Sequence, residues 1–560
     1  MRTALLPAYL IFSCLLLAAG LPAPAQTPRY VISFTGRQGT PYRLEEPAAY
    51  LSPRALQRRA RQNIAIDSTD LPVNPAYIDS LLQTGNVQLL YTLRWQNGAV
   101  IQTDDAAALQ KIRQLPFVRS LEESSRRTAP AAGERQYLAT TGARTSGTAG
   151  LDYGHSYTQV HLHEGEYLHN KNLRGDGMLI AVLDAGFPSV DYNRAFAWLR
   201  DQQQITATRN FTDNSTYVYN YGEHGTQVLS ILAANLPGEM TGTAPEAAYV
   251  LLRTEEAGTE QPVEEMNWAA AAELADSLGV DVISSSVGYN TFDNPAYDHT
   301  YAQLDGRSTT AARAAAMAVR KGMIVVSAAG NEGNLDWRYL LTPADADSVL
   351  TVAAVDSQGR VTSFSSYGPT ADGRIKPDVA ALGAGTAFVN VNGAVTSGNG
   401  TSYACPVIAG LVACLWQAFP WRTNMEILQA VKASSSQYAT PDNRTGYGIP
   451  NFRAAYDMLL KMDMQDTAYI RTRLNNRSIK VFPNPFSSQL HIYYRSAGQE
   501  TVYFQLIGAA GRIAGSWQAT PSGTYSYFTR QTGLMQLPTG LYYLRMIQGK
   551  EQEVVKLVKY

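Results

Sequence analysis

The sequence predicts a doubly wound α/β domain in the middle of the chain, with a small α+β unit before it and a β-sandwich after it. Two apolar runs, Met178-Leu179-Ile180-Ala181-Val182-Leu183 and Met323-Ile324-Val325-Val326, carry no polar alternation, as strands of a parallel sheet covered on both faces require. Each run ends in polar or glycine residues, at the edge where ligand groups gather in open α/β sheets. The flanks read differently, and 560 residues are too many for a single core.

In chain order, residues 1–25 read as an export signal: Arg2 supplies positive charge, residues 5–19 a short apolar run, and Ala23-Pro24-Ala25 a small-residue end with cleavage after Ala25. The run is short and followed by prolines, which argues against an anchor, and no other segment reads as apolar enough to span a membrane. Residues 26–123 form the α+β unit of short strands and helices, with a strand over 30–34, a helix capped by Ser52 with Pro53 in its first turn, and further segments over 75–82, 87–95 and 106–115. Residues 124–150 are rich in Ser, Thr, Gly, Ala and Arg and read as an exposed, easily nicked linker. Residues 151–464 form the central domain and 465–480 a second linker. Residues 481–560 hold a Phe482-Pro483-Asn484-Pro485-Phe486 turn and alternating runs such as Leu490-His491-Ile492-Tyr493-Tyr494, the pattern of a small β-sandwich.

A formal net charge of −1 supplies no basic field for nucleic acid and no acidic tail. Of three cysteines, Cys14 falls in the export signal. Cys405 and Cys414 lie on one predicted helix, and nine residues of helix separate them by roughly 13 Å, beyond disulfide reach. Both read as small buried hydrophobes, with no zinc spacing.

The chemistry concentrates in four places. Gly400-Thr401-Ser402-Tyr403-Ala404-Cys405-Pro406 sets one serine between a glycine turn and a long apolar helix, whose positive N-terminal end favours developing negative charge. A serine needs a base, and among seven histidines His224, in Gly222-Glu223-His224-Gly225-Thr226, lies at a glycine break before an apolar segment. Asp184 follows the first buried strand, where it can accept the imidazole N–H and fix its tautomer. Asn331, in Ala328-Ala329-Gly330-Asn331-Glu332-Gly333, offers a side-chain amide for an oxyanion.

These blocks, in the order Asp, His, Asn, Ser, resemble the subtilase family of serine peptidases, whose marks are an Asp after a buried strand, His-Gly-Thr, Ala-Gly-Asn-x-Gly and Gly-Thr-Ser-x-Ala-x-Pro. The likeness runs from about residue 151 to 460 and includes Gly242-Thr243-Ala244-Pro245 and Lys376-Pro377-Asp378-Val379-Ala380. It implies a peptidase in which Ser402 attacks, His224 moves the proton, Asp184 orients His224, and Asn331 with the Ser402 N–H holds the oxyanion. Two positions depart from the family pattern: Tyr403 stands for a frequent methionine, which predicts resistance to peroxide and a narrower leaving-group side, and Cys405 for a frequent small residue. The segment Ser286-Val287-Gly288 resembles the family stretch that pairs with an extended substrate. Leu341, before Pro343, falls where many relatives have glycine at the pocket floor. As a pocket residue it implies a preference for small or medium uncharged side chains, and as a core residue it implies none.

Residues 26–123 resemble the inhibitor propeptides of subtilases, which assist folding and block the cleft until self-cleavage, here expected between 124 and 150. Pro483-Asn484-Pro485-Phe486, Gly511-Arg512, Gly540-Leu541-Tyr542-Tyr543-Leu544 and the lysine-bearing end resemble the sorting domains of the Bacteroidetes type IX secretion system, with the outer-membrane secretion machinery as partner and removal after export as the usual fate. The rival is an attached domain that binds insoluble substrate. The whole reads as a secreted endopeptidase acting on proteins or peptides. It needs no cofactor for its chemistry, and a structural calcium is compatible but not assignable to particular loops. The alternative is a catalytically silent surface binding protein or adhesin of the same fold, against which four intact polar groups count.

Overall fold

The structure is a computed structural model that describes residues 27–125 and 151–559, except 466–469, 472, 473, 475, 476, 487, 488, 522, 531, 532 and 535. The export signal, Cys14 and all but two residues of the 124–150 linker lie outside the described residues.

The N-terminal unit runs β1 (Arg29–Phe34), α1 (Pro53–Gln62), α2 (Pro75–Leu82), β2 (Gln88–Leu93), β3 (Gly98–Gln102), α3 (Ala106–Gln114) and β4 (Val118–Ser125), with an antiparallel sheet ordered β2-β3-β1-β4. Ser52 caps α1, its Oγ accepting the Ala55 N–H at 3.1 Å. One sheet face packs Ile32, Phe34, Leu81 and Ile112 into a core of its own. The other face sends Tyr91, Leu93 and Val100 into one cluster with Trp268 of the central domain.

The central domain contains α4 (Tyr157–His161), α5 (Gly165–Asn170), β5 (Leu179–Asp184), α6 (Ala197–Asp201), β6 (Ile205–Asn210), α7 (His224–Ala233), the short pair β7 (Asn235–Leu236) and β8 (Met240–Thr241), then β9 (Ala248–Arg253), α8 (Val263–Leu278) and β10 (Val282–Ser285). It continues with α9 (Thr310–Arg320), β11 (Ile324–Ala328), β12 (Leu350–Val355), β13 (Val379–Leu382), the hairpin β14 (Ala384–Val389) and β15 (Val395–Asn399), α10 (Thr401–Ala418), α11 (Asn424–Ala433) and α12 (Phe452–Gln465). Seven strands pair in the order β13-β12-β11-β10-β5-β9-β6, all parallel. The unbroken apolar runs follow from burial on both faces: Ile180 and Val182 join the cluster of α7 and α10, while Leu179, Ala181 and Leu183 join that of α8 and α9.

One sequence expectation is corrected. Among the described residues Thr401–Ala418 is long and apolar enough to cross a membrane by length and composition, contrary to the reading that no segment after the export signal is. The helix is 94% buried, and its uniform hydrophobicity reflects a core position with protein on every side.

A third unit comprises β16 (Ile479–Phe482), β17 (Leu490–Arg495), β18 (Val502–Gly508), β19 (Ile513–Ala519), β20 (Tyr525–Arg530), β21 (Gly540–Gln548) and β22 (Glu551–Lys559). Antiparallel sheets β16-β17-β20 and β19-β18-β21-β22 enclose Leu490, Ile492, Phe504, Leu506 and Leu544.

The N-terminal unit grips the central domain through arginines. Arg58, wholly buried, donates to the carbonyl oxygens of Asp276, Val280 and Lys321 and to the Asp276 carboxylate. These acceptors lie at the C-terminal ends of α8 and α9, where unpaired carbonyls and the helix dipole favour a cation. Arg59 and Arg94 converge on the same carboxylate. Lys321 returns the contact, reaching Asp67 at 3.2 Å and Asp70 at 3.0 Å.

Candidate active site

The first candidate group stands where β5 ends. Asp184 is fully buried, and its Oδ1 accepts the Ala185 N–H at 2.8 Å. His224 opens α7, its Nδ1 lying 2.9 and 3.0 Å from the two Asp184 oxygens. A side chain on Gly225 would put Cβ 2.3 Å from the Gly186 carbonyl oxygen and 3.0 Å from the Asp184 Cβ, so glycine there is what lets the helix start approach the strand end. With Nδ1 facing a carboxylate, that nitrogen carries the proton and Nε2 is the basic one.

Ser402 is the second residue of α10, so its backbone N–H lies in the first turn and has no intrahelical acceptor. Its Oγ is buried without a hydrogen-bond partner. The helix start is tied to neighbouring strands: Ser286 Oγ donates to the Ser402 carbonyl at 2.8 Å, and the Cys405 thiol lies against the carbonyls of Ser285 and Val326. Burial pushes that thiol up to about 12, so it remains protonated. Cys405 and Cys414 are both buried and unbonded to each other.

Asn331 follows β11. Its Oδ1 accepts the Thr401 N–H at 2.9 Å and the Thr401 hydroxyl at 3.1 Å. An N–H can meet only the oxygen, so Thr401 settles which end of the amide is left to donate. Thr401 also accepts the Gly330 N–H at 3.1 Å. Sequence reasoning passed over this residue although it sits inside the quoted serine block, because nothing along the chain says that its hydroxyl reaches a loop 70 residues away.

All four groups line one cleft of about 930 Å³, which also contains Ser286, Val287, Gly288 and Leu341. Leu341 is wedged between two glycine walls: a Cβ on Gly288 would lie 2.8 Å from Leu341 Cβ, and one on Gly330 2.7 Å from Leu341 Cγ. Tyr403 is fully buried, its ring stacked on Phe388 at 4.9 Å and tilted against His224 at 5.8 Å, with its hydroxyl donating to Gln227 Oε1 at 2.6 Å. It packs beside the imidazole.

Farther along the cleft, Glu255, Glu260 and Glu264 bring carboxylate oxygens within 4.8 Å of one another. The Glu264 oxygens already accept the N–H groups of Glu256 and Gln261, and Glu255 accepts the hydroxyls of Thr254 and Tyr289. Burial raises Glu264 well above the carboxylate range and Glu255 to about 7.

A doubly wound sheet with an aspartate, a histidine, an asparagine and a serine at its carboxyl edge defines a serine-hydrolase type of architecture. Residues 175–448 match the subtilase family, residues 29–137 the peptidase S8 propeptide domain of Bacteroidota, and residues 480–560 the secretion system C-terminal sorting domain. Residues 175–448 therefore form a subtilase-family domain within the chain. Curated relatives include a thermophilic serine proteinase from Bacillus sp. (strain AK1), 29% identical over 304 residues, covering 54% of this chain and 66% of that protein. Serine protease AprX of Bacillus subtilis (strain 168) is 28% identical over 321 residues, covering 52% and 68% respectively. Among solved structures, that of MycP1 with its N-terminal propeptide removed has a TM-score of 0.43 and 22% identity, covering 53% of this chain and 96% of that one. At 66%, the chain spans just under two thirds of the length of the first of these relatives.

Proposed function

We propose that this chain is the precursor of a secreted serine endopeptidase that hydrolyses peptide bonds in proteins. The observation that carries the reading is the Asp184–His224 pair opening onto the cleft that holds Ser402. Ser402 Oγ attacks the substrate carbonyl as His224 Nε2 takes its proton, and Asp184 stabilises the imidazolium that results. The Asn331 amide and the Ser402 N–H, at the positive end of α10, receive the oxyanion. His224 then returns the proton to the leaving amine, and water repeats the sequence on the acyl-enzyme. The chemistry needs no cofactor.

An extended substrate pairs with Ser286-Val287-Gly288, and Leu341 closes the pocket between Gly288 and Gly330. That geometry favours small or medium uncharged side chains before the cut. The N-terminal unit is the chain's own inhibitor. Ser125, the last residue of β4, pairs with Arg29, and Arg29 donates to Glu256 at 2.6 Å on the cleft wall, so β4 ends beside the cleft. Residues 1–25 direct export, and the C-terminal domain engages the secretion machinery that carries the protein across the outer membrane.

The test is mass spectrometry and casein hydrolysis on purified precursor beside a Ser402→Ala form. Loss of the N-terminal segment by a cut within 124–150, with casein hydrolysis, in the parent alone supports the proposal. Two intact, inactive proteins would favour the binding-protein alternative.

A further inference from the structure

The C-terminal sandwich buries both faces of one of its sheets. Along β17, Leu490, Ile492 and Tyr494 point into the sandwich core, while His491 and Tyr493 on the opposite face are also buried, at 1% and 0% exposure. The neighbouring strands repeat the pattern: Val481 faces inward and Phe482 outward on β16, and Phe528 inward and Tyr527 outward on β20. An antiparallel sheet at the end of a chain ordinarily leaves one face to water and shows polar alternation there. Here that face carries four rings, which converge on Trp421, in the turn after α10.

Trp421 meets Phe482 at 4.7 Å, His491 at 4.5 Å, Tyr493 at 6.0 Å and Tyr527 at 6.2 Å, all close to edge-on. Such geometry is favourable beyond the area it buries. The rings also pack on one another, with His491 stacked on Phe482 and its Nδ1 2.7 Å from the Tyr527 hydroxyl. On the catalytic side Trp421 is held by Phe419, at 5.8 Å, and by its indole N–H donating to Asp463 Oδ1 at 3.1 Å. Ile470 and Leu474, between α12 and the sandwich, are buried in the catalytic core as well.

We propose that the outer face of β16-β17-β20 is a docking face for Trp421 of the catalytic domain, so that a cut between the two domains leaves the sandwich bound as a non-covalent subunit. The export tail then stays with the enzyme after processing, and its release requires separating this aromatic contact in addition to breaking a peptide bond. The inference is independent of the catalytic reading, because it rests on packing alone.

The test uses the full chain with Ser402→Ala, which prevents self-digestion, and residues 466–469 replaced by an Ile-Glu-Gly-Arg site for a specific protease. After complete cutting, size-exclusion chromatography at micromolar concentration should show both pieces co-eluting. The same chain carrying Trp421→Ala should separate, or exchange its sandwich with a labelled copy at least tenfold faster. Separate elution of the pieces with Trp421 intact overturns the proposal even if the Trp421 variant fails to fold. So does undiminished co-elution of a folded Trp421→Ala form.

Discussion

Replacing Arg58 with methionine keeps the apolar stem and deletes the guanidinium that joins the propeptide to the C-terminal ends of α8 and α9. The carbonyl of Lys321 loses a donor at 3.3 Å and that of Asp276 one at 3.2 Å, while Val280 and one Asp276 carboxylate oxygen lose theirs too. Breaking a wholly buried ion pair costs about 3–5 kcal/mol. Asp276 keeps Arg59 and Arg94, so its carboxylate is not orphaned, which sets the cost near the lower end, about 3 kcal/mol. At about 1.4 kcal/mol per decade this weakens propeptide binding roughly a hundredfold. The assay is a Ser402→Ala chain cut by an added protease at a site placed within 126–150, with propeptide dissociation timed from the immobilised catalytic part. A rate within threefold of the parent would refute the claim that the buried guanidinium holds the two domains together.

Three further outcomes follow from the same geometry. Asn331→Leu should lower kcat on a peptide anilide by about 10²–10³, the cost of losing one oxyanion donor in subtilisin, with little change in KM. Burial raises Glu273, which accepts the N–H groups of Arg94 and Trp95 across the propeptide interface, to about 7, against an ordinary value near 4.5 once the propeptide leaves. The complex therefore binds the proton more tightly than the separated parts, and propeptide affinity should fall as pH rises from about 4.5 to 7 and level off above, a trend that Glu273→Gln should flatten in dissociation rates measured across that window. Leu341→Gly should open the slot between Gly288 and Gly330 and raise kcat/KM for substrates with a large aromatic residue before the cut relative to alanine, as read on a paired peptide series.

Much of this protein was legible along the chain, for local reasons. The strand runs ending at Asp184 and before Asn331 show in uninterrupted hydrophobicity because both faces of a parallel sheet are buried, and Ser52-Pro53 marks a helix start because capping is settled within four residues. The four motifs give the residue types at the site, since each is fixed by its own turn. The sequence determined the candidate residues, the order of domains and the chemistry they suit. Tertiary structure decided the rest: that Thr401 orients Asn331, that Leu341 fills the slot between two glycine walls, that arginines of the propeptide cap two helices of another domain, and that Trp421 meets a sheet more than 50 residues away. These contacts join segments whose spacing carries no period, and a buried arginine or tyrosine reads along the chain like an exposed one until its partner arrives in space.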